Sequence, residues 1–192
     1  MHPDRQPVTA RLERAFAEGR LQHDAAQLAA AARLDALAAQ LNADRSGGWQ
    51  AFAGLELPRL RTRAAPRGLY LWGGVGRGKT RLMDLFYGAL DLKARRRDHF
   101  YAWMRAVHAQ LRAIEDQSRP LRIVADRIAA QARLVCLDEF FVSDIGDAMI
   151  LAGLLEGLFR RGVVLVATSN LPPRELYKDG LQRARFLPAI AM

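Results

Sequence analysis

Eight consecutive residues, Gly73-Gly74-Val75-Gly76-Arg77-Gly78-Lys79-Thr80, fit the pattern G-x-x-x-x-G-K-[ST]. Glycines let a backbone curl until its N–H groups converge, and a helix starting at the lysine adds positive potential, so the run predicts a cradle for phosphate. Lys79 would reach the β- and γ-phosphates of a nucleoside triphosphate, and the Thr80 hydroxyl would ligate Mg²⁺. Chance would produce the pattern in roughly one in a thousand chains of this composition, so a fortuitous glycine turn is a weak competitor.

A second constellation is Asp138-Glu139, which ends the apolar run Leu134-Val135-Cys136-Leu137. Ligands bind at the carboxyl ends of strands in open parallel sheets, where this pair would emerge. Asp138 is then expected to hold the metal, directly or through water, and Glu139 to orient or deprotonate an attacking water. A third is Ala167-Thr168-Ser169-Asn170. Asn170, just past a strand, suits a residue that positions water against the γ-phosphate, although a Ser-Asn turn before Pro172-Pro173 explains the same letters. Finally, Arg183 and Arg185 lie near an expected helix end. An arginine there could neutralise charge on a phosphoryl group held by a neighbouring subunit, or could be one more solvated arginine.

These residues need elements to carry them. Residues from about Val8 to Asn42 read as a helical pair, with Leu28, Leu34, Leu37 and Leu41 along one stripe and Asp24 as a cap. Packing on the main domain is the plain reading of that pair; an arm for a partner is the other. Arg45 to Arg67 reads as a connecting loop containing Gly47, Gly48, Pro58 and Pro66. From Gly68 onward, short strands alternate with helices. The strands are expected at Gly68–Trp72, His99–Trp103, Arg133–Asp138 and Val163–Thr168. The helices are expected at Lys79–Leu90, up to Glu115, Leu121–Ala132 and Ile145–Arg161. Such alternation predicts parallel βαβ units in a three-layer α/β fold.

Composition limits the alternatives. The 192 residues are 51% hydrophobic and 26% charged, which are globular proportions outside the range of disorder. The N-terminus, MHPDRQPVTARLERAF, is charged where a signal peptide would be apolar, so a cytoplasmic location is expected. Cys136 is the only cysteine and sits inside a strand, and the four histidines show no metal-ligand spacing. The formal charge is +9, with 26 arginines among 29 basic residues. The run Arg95-Arg96-Arg97 beside His99-Phe100-Tyr101 could serve nucleic acid; a charged loop before a strand accounts for it equally well.

Taken in order, GLYLWGGVGRGKT, LVCLDEF, VVLVATSN and LYKDGLQRARFLP closely resemble the ZapE-type cell-division ATPases, a family within the AAA+ superfamily that includes the lactation-elevated ATPases of mitochondria. The resemblance covers about Gly68 to Pro188. It implies that Gly73–Thr80 is the Walker A loop, Asp138-Glu139 the Walker B pair, Asn170 the first sensor and Arg183 the arginine acting on a neighbour. ATP and Mg²⁺ are the implied cofactors. The implied partner is FtsZ or its divisome, with assembly into a homo-oligomer and peripheral contact with the inner membrane, and nucleic acid is not expected. Phe141, Leu171 and Tyr101 stand where the family usually has glutamine, arginine and histidine. Family members continue beyond this point through a last core strand and a helical lid. The expectation is thus a helical N-terminal extension and linker, 1–67, before a shortened AAA+ core, 68–192. Rival readings are an ATPase of the helicase-loader kind acting on nucleic acid, a small-molecule kinase, and a fragment that turns nothing over.

Overall fold

The computed structural model describes residues 6–43, 65–114 and 118–192. The loop expected over 45–67 falls almost wholly outside them. Four strands, β1 (Leu69–Trp72), β2 (Arg95–His99), β3 (Leu134–Asp138) and β4 (Val164–Ser169), form one parallel sheet in the order β1-β4-β3-β2. β4 therefore separates β1 from β3, and all four strands end on the same side of the sheet.

Alternation along β3 and β4 builds a layer on each face. Leu134, Cys136, Val164 and Val166 point into a cluster with Leu82, Met83 and Phe86 of α3 (Lys79–Ala89). Val135, Leu137 and Ala167 point the other way. There they meet α4 (Phe100–Arg112), α5 (Pro120–Gln131) and α6 (Ile145–Arg160) through residues such as Trp103, Val124 and Leu154. Period-two alternation with both faces apolar is what a central strand between two helical layers requires.

The N-terminal segment is two helices, α1 (Val8–Ala17) and α2 (Ala25–Ala43), interrupted where Gly19 takes φ 68°. Val8, Leu12, Leu34, Leu37 and Leu41 are buried in the same cluster as α3. The Asp35 carboxylate of α2 accepts from the backbone N–H groups of Val8 and Thr9, at 2.6 and 3.0 Å. It thereby caps α1 from across the pair. Asp24 caps α2 as the sequence suggests, accepting from Ala26 N at 2.8 Å.

One expectation fails. The strand expected at His99–Trp103 lies earlier, at Arg95–His99, and Phe100 opens α4. Phe100, Trp103, Met104 and Val107 are all buried, a spacing of three, four and seven that belongs to a helix face. The arginines of the triplet are themselves the edge strand, where charge is tolerated because only one side is paired. Among the described residues, no helix is long and apolar enough to cross a membrane.

Candidate functional site

The phosphate loop leaves the exposed end of β1 and enters α3. Gly73, Gly76 and Gly78 have φ of 151°, 78° and 77°, conformations a side chain resists, and Gly78 in the left-handed region is the N-cap of α3. A Cβ built on Gly73, Gly74 or Gly76 would meet no atom within 4 Å, so the loop faces open space. Inside the curl, the Lys79 ammonium donates to the carbonyls of Gly73 and Gly74 at 2.7 and 2.8 Å. Partial desolvation holds its pKa below the ordinary lysine value. Val75 and Arg77 lie exposed on the loop, and Thr80 is exposed in the first turn of α3.

Asp138 is the last residue of β3 and is buried, whereas Glu139 beside it is exposed. The chain turns sharply between them: Glu139 has φ 56°, a left-handed conformation that costs a non-glycine residue of order 1 kcal/mol. Thr168 on β4 supports the turn. Its hydroxyl donates to Asp138 Oδ1 at 3.3 Å and accepts from Glu139 N at 3.2 Å, while Phe140 N donates to the Thr168 carbonyl at 2.7 Å. Glu139 Oε2 comes within 4.0 Å of His99 Nδ1 at the end of β2.

The second oxygen of Asp138 is held by an arginine. Arg97 Nε donates to Asp138 Oδ2 at 2.7 Å, and its Nη1 reaches Asp84 Oδ1 at 2.5 Å. These bonds raise the Arg97 pKa against the desolvation that would lower it. Asp84 lies one helical turn beyond Thr80, so α3, β2 and β3 are joined by a carboxylate–guanidinium–carboxylate chain beside the proposed metal ligands. Arg95 is also committed inward. Its guanidinium donates to the carbonyls of Tyr87 and Leu90 at the end of α3 and lies over the Tyr87 ring, 4.3 Å from its centroid. Two arginines of the triplet thus have partners inside the fold.

Asn170 is exposed directly after β4, between the strand that carries the phosphate loop and the strand that carries the acidic pair. Gly73 N donates to the Ser169 carbonyl at 3.3 Å, which fixes the start of the loop to this strand end. Arg183 is placed differently. It begins a short 3₁₀ turn, Arg183–Arg185, and its Nη2 donates to the Arg174 carbonyl at 2.6 Å, so it is bonded within its own segment rather than to the loop. Phe141 and Tyr101 are exposed near the same end of the sheet.

Sequence reasoning did not single out Arg97, Asp84 or Thr168 as site residues. Two signals were available: the Thr80 to Asp84 spacing of one helical turn, and the position of Thr168 at the end of the strand next to Asp138. Arg97 was legible only once its residue was placed in a strand rather than a loop.

Comparison with known proteins follows the same lines. A family model described as AFG1-like ATPase matches residues 7–192. The cell division protein ZapE of Escherichia coli (strain K12) is 51% identical over 189 residues, covering 95% of this chain and 50% of its own length. Lactation elevated protein 1 homolog B of Danio rerio is 49% identical over 138 residues, covering 66% of this chain and 27% of its own. The chain therefore spans about half the length of the curated ZapE relatives it matches. Among solved structures, DnaI matches with a TM-score of 0.57 over 89% of this chain and 83% of its own, at 17% identity, a likeness of fold alone.

Proposed function

This chain belongs to the AFG1-like ATPase family, and we propose that it binds ATP with Mg²⁺ at Gly73–Thr80 and hydrolyses it, coupling the reaction to work on a protein partner. The observation that carries this reading is the topology at one sheet end. β4 brings the phosphate loop of β1 and the acidic pair of β3 to either side of Asn170.

Backbone N–H groups at the start of α3 would receive the phosphates. Lys79, now resting on two loop carbonyls, would exchange them for phosphate oxygens. The donors available to a metal, the Thr80 hydroxyl and the Asp138 carboxylate, are hard oxygens suited to Mg²⁺, which commonly takes one or two protein ligands and completes its shell with phosphate and water. Bound Mg²⁺ would supply charge neutralisation at the phosphates. Glu139, exposed and turned by its left-handed backbone, would accept a proton from the attacking water, and Asn170 would hold that water in line. Arg183 would act on the nucleotide of an adjacent copy in a homo-oligomer. We read residues 68–192 as this ATPase core and 1–67 as its helical N-terminal extension and linker. By kinship with the cell division protein ZapE, the partner proposed is FtsZ or its divisome, at the cytoplasmic face of the inner membrane.

Equilibrium binding of ATP to Lys79→Ala tests the site. Loss of a charge-assisted contact predicts at least about tenfold weaker binding than the parent chain. Equal affinity would remove the loop from the binding reaction.

A further inference from the structure

The first turn of α2 touches the phosphate loop. Gln27 Nε2 donates to the carbonyl of Arg77 at 3.3 Å, and Asp24 Oδ2 pairs with the Arg77 guanidinium at 3.5 Å. Approach is this close because residue 78 is glycine: a Cβ there would stand 3.1 Å from Gln27 Nε2. The contact is made between residues fifty apart in sequence, by a helix that the phosphate-loop pattern does not include.

Its consequence follows from the peptide unit. In a trans peptide the C=O of one residue and the N–H of the next point in opposite directions. A hydrogen bond that fixes the Arg77 carbonyl toward Gln27 therefore turns the Gly78 N–H away from that side chain. Gly78 follows with φ 77°, a conformation with little intrinsic preference over its alternatives in glycine. The loop's glycines permit this orientation of the Arg77–Gly78 peptide, and the Gln27 side chain bonds its carbonyl from outside the loop.

We infer that Gln27, steadied by the Asp24–Arg77 pair, is a positioning residue for phosphate binding: it presets the Arg77–Gly78 peptide so that the Gly78 N–H is offered to a nucleotide phosphate. The inference rests on the nucleotide-binding reading and extends it to the N-terminal helical pair. Asp24 has a second duty as the cap of α2, so Asp24→Ser, which keeps a capping oxygen and removes the carboxylate, isolates the pair with Arg77.

The test is Mg²⁺-free binding of ADP and of adenosine to the 192-residue chain and to Gln27→Ala, Gln27→Glu and Gln40→Ala. Gln40 is an exposed glutamine near the far end of the same helix. ADP is expected to bind Gln27→Ala about threefold to tenfold more weakly, the size of one net hydrogen bond, and Gln27→Glu at least as weakly, because a carboxylate repels the carbonyl. Adenosine, which offers no phosphate, is expected to bind all four chains alike, and thermal midpoints of the nucleotide-free chains will separate folding losses from affinity losses. Gln27→Lys, which restores a donor of similar reach, is expected to recover ADP affinity. Parent-like ADP affinity in both Gln27→Ala and Gln27→Glu would overturn the inference, as would equal weakening for adenosine. Absence of ADP binding by the parent chain would instead overturn the nucleotide reading itself.

Discussion

Arg97 is the residue on which the two halves of the site depend. It is mostly enclosed, it spans Asp84 and Asp138, and removal of its charge leaves a buried carboxylate whose remaining side-chain partner among the described residues is the Thr168 hydroxyl. Arg97→Met is therefore expected to lower stability by about 2–3 kcal/mol in urea unfolding, below the range for a fully buried pair because Arg97 and Asp84 keep part of their surface in solvent. A loss under 0.5 kcal/mol would mean that solvent already screens this pair. Cys136 reports on β3, the strand that Arg97 faces and that ends in Asp138. Burial pushes its thiol up to about 12 from an ordinary 9.0, so it stays protonated and sheltered at pH 8. A thiol reagent is expected to label the native chain only as fast as it opens. Because the native state keeps a proton that the unfolded chain releases above pH 9, this group lowers stability as pH rises from 9 toward 12.

Of the two edge strands, β1 is the shorter, four residues against five, and among the described residues it pairs with β4 alone. Gly68, just before it, is pressed against β4: a Cβ there would stand 1.8 Å from the Leu165 carbonyl oxygen, which is backbone and cannot swing aside. Gly68→Ala is expected to push β1 off its partner, lowering stability by about 2 kcal/mol or more and weakening ATP binding with it. Unchanged melting and affinity would show that the strand end can yield. The elements also mark where sequence reading succeeds. β3 and β4 are short, apolar and bounded by turns, and the helices around them keep their period, so they could be located from residue types. β2 could not. Three arginines in a row look like a solvated loop; what makes them a strand is the acceptors they find on α3 and β3, which are distant in sequence. Asp138-Glu139 and the phosphate loop were legible for the opposite reason, since each carries its chemistry within a few consecutive residues.

Across the whole molecule, the N-terminal helical pair shares one core with α3, the helix that the phosphate loop enters. Nucleotide binding is therefore expected to stabilise the N-terminal helices as well as the loop. Saturating ADP should slow thiol labelling of Cys136 by a factor of one plus the ratio of free ADP concentration to its Kd, because a ligand that binds only the native state reduces the open population. Labelling at an unchanged rate under saturating ADP would show that the strand opens without disturbing the site. The charge of +9 also takes on a different meaning at this scale. Arg97 and Arg77 are balanced by Asp84, Asp138 and Asp24, whereas Arg95 is held by backbone carbonyls at the end of α3, so part of the basic surplus serves the fold.

The most direct measurement of the central claim is ATP turnover beside ATP binding in the parent chain and in Glu139→Gln. The substitution keeps the size of the side chain and removes its ability to take a proton. The proposed site requires that the parent chain hydrolyse ATP and that Glu139→Gln bind it with similar affinity while turning it over at least about a hundredfold more slowly. Turnover in Glu139→Gln equal to that of the parent chain would contradict it.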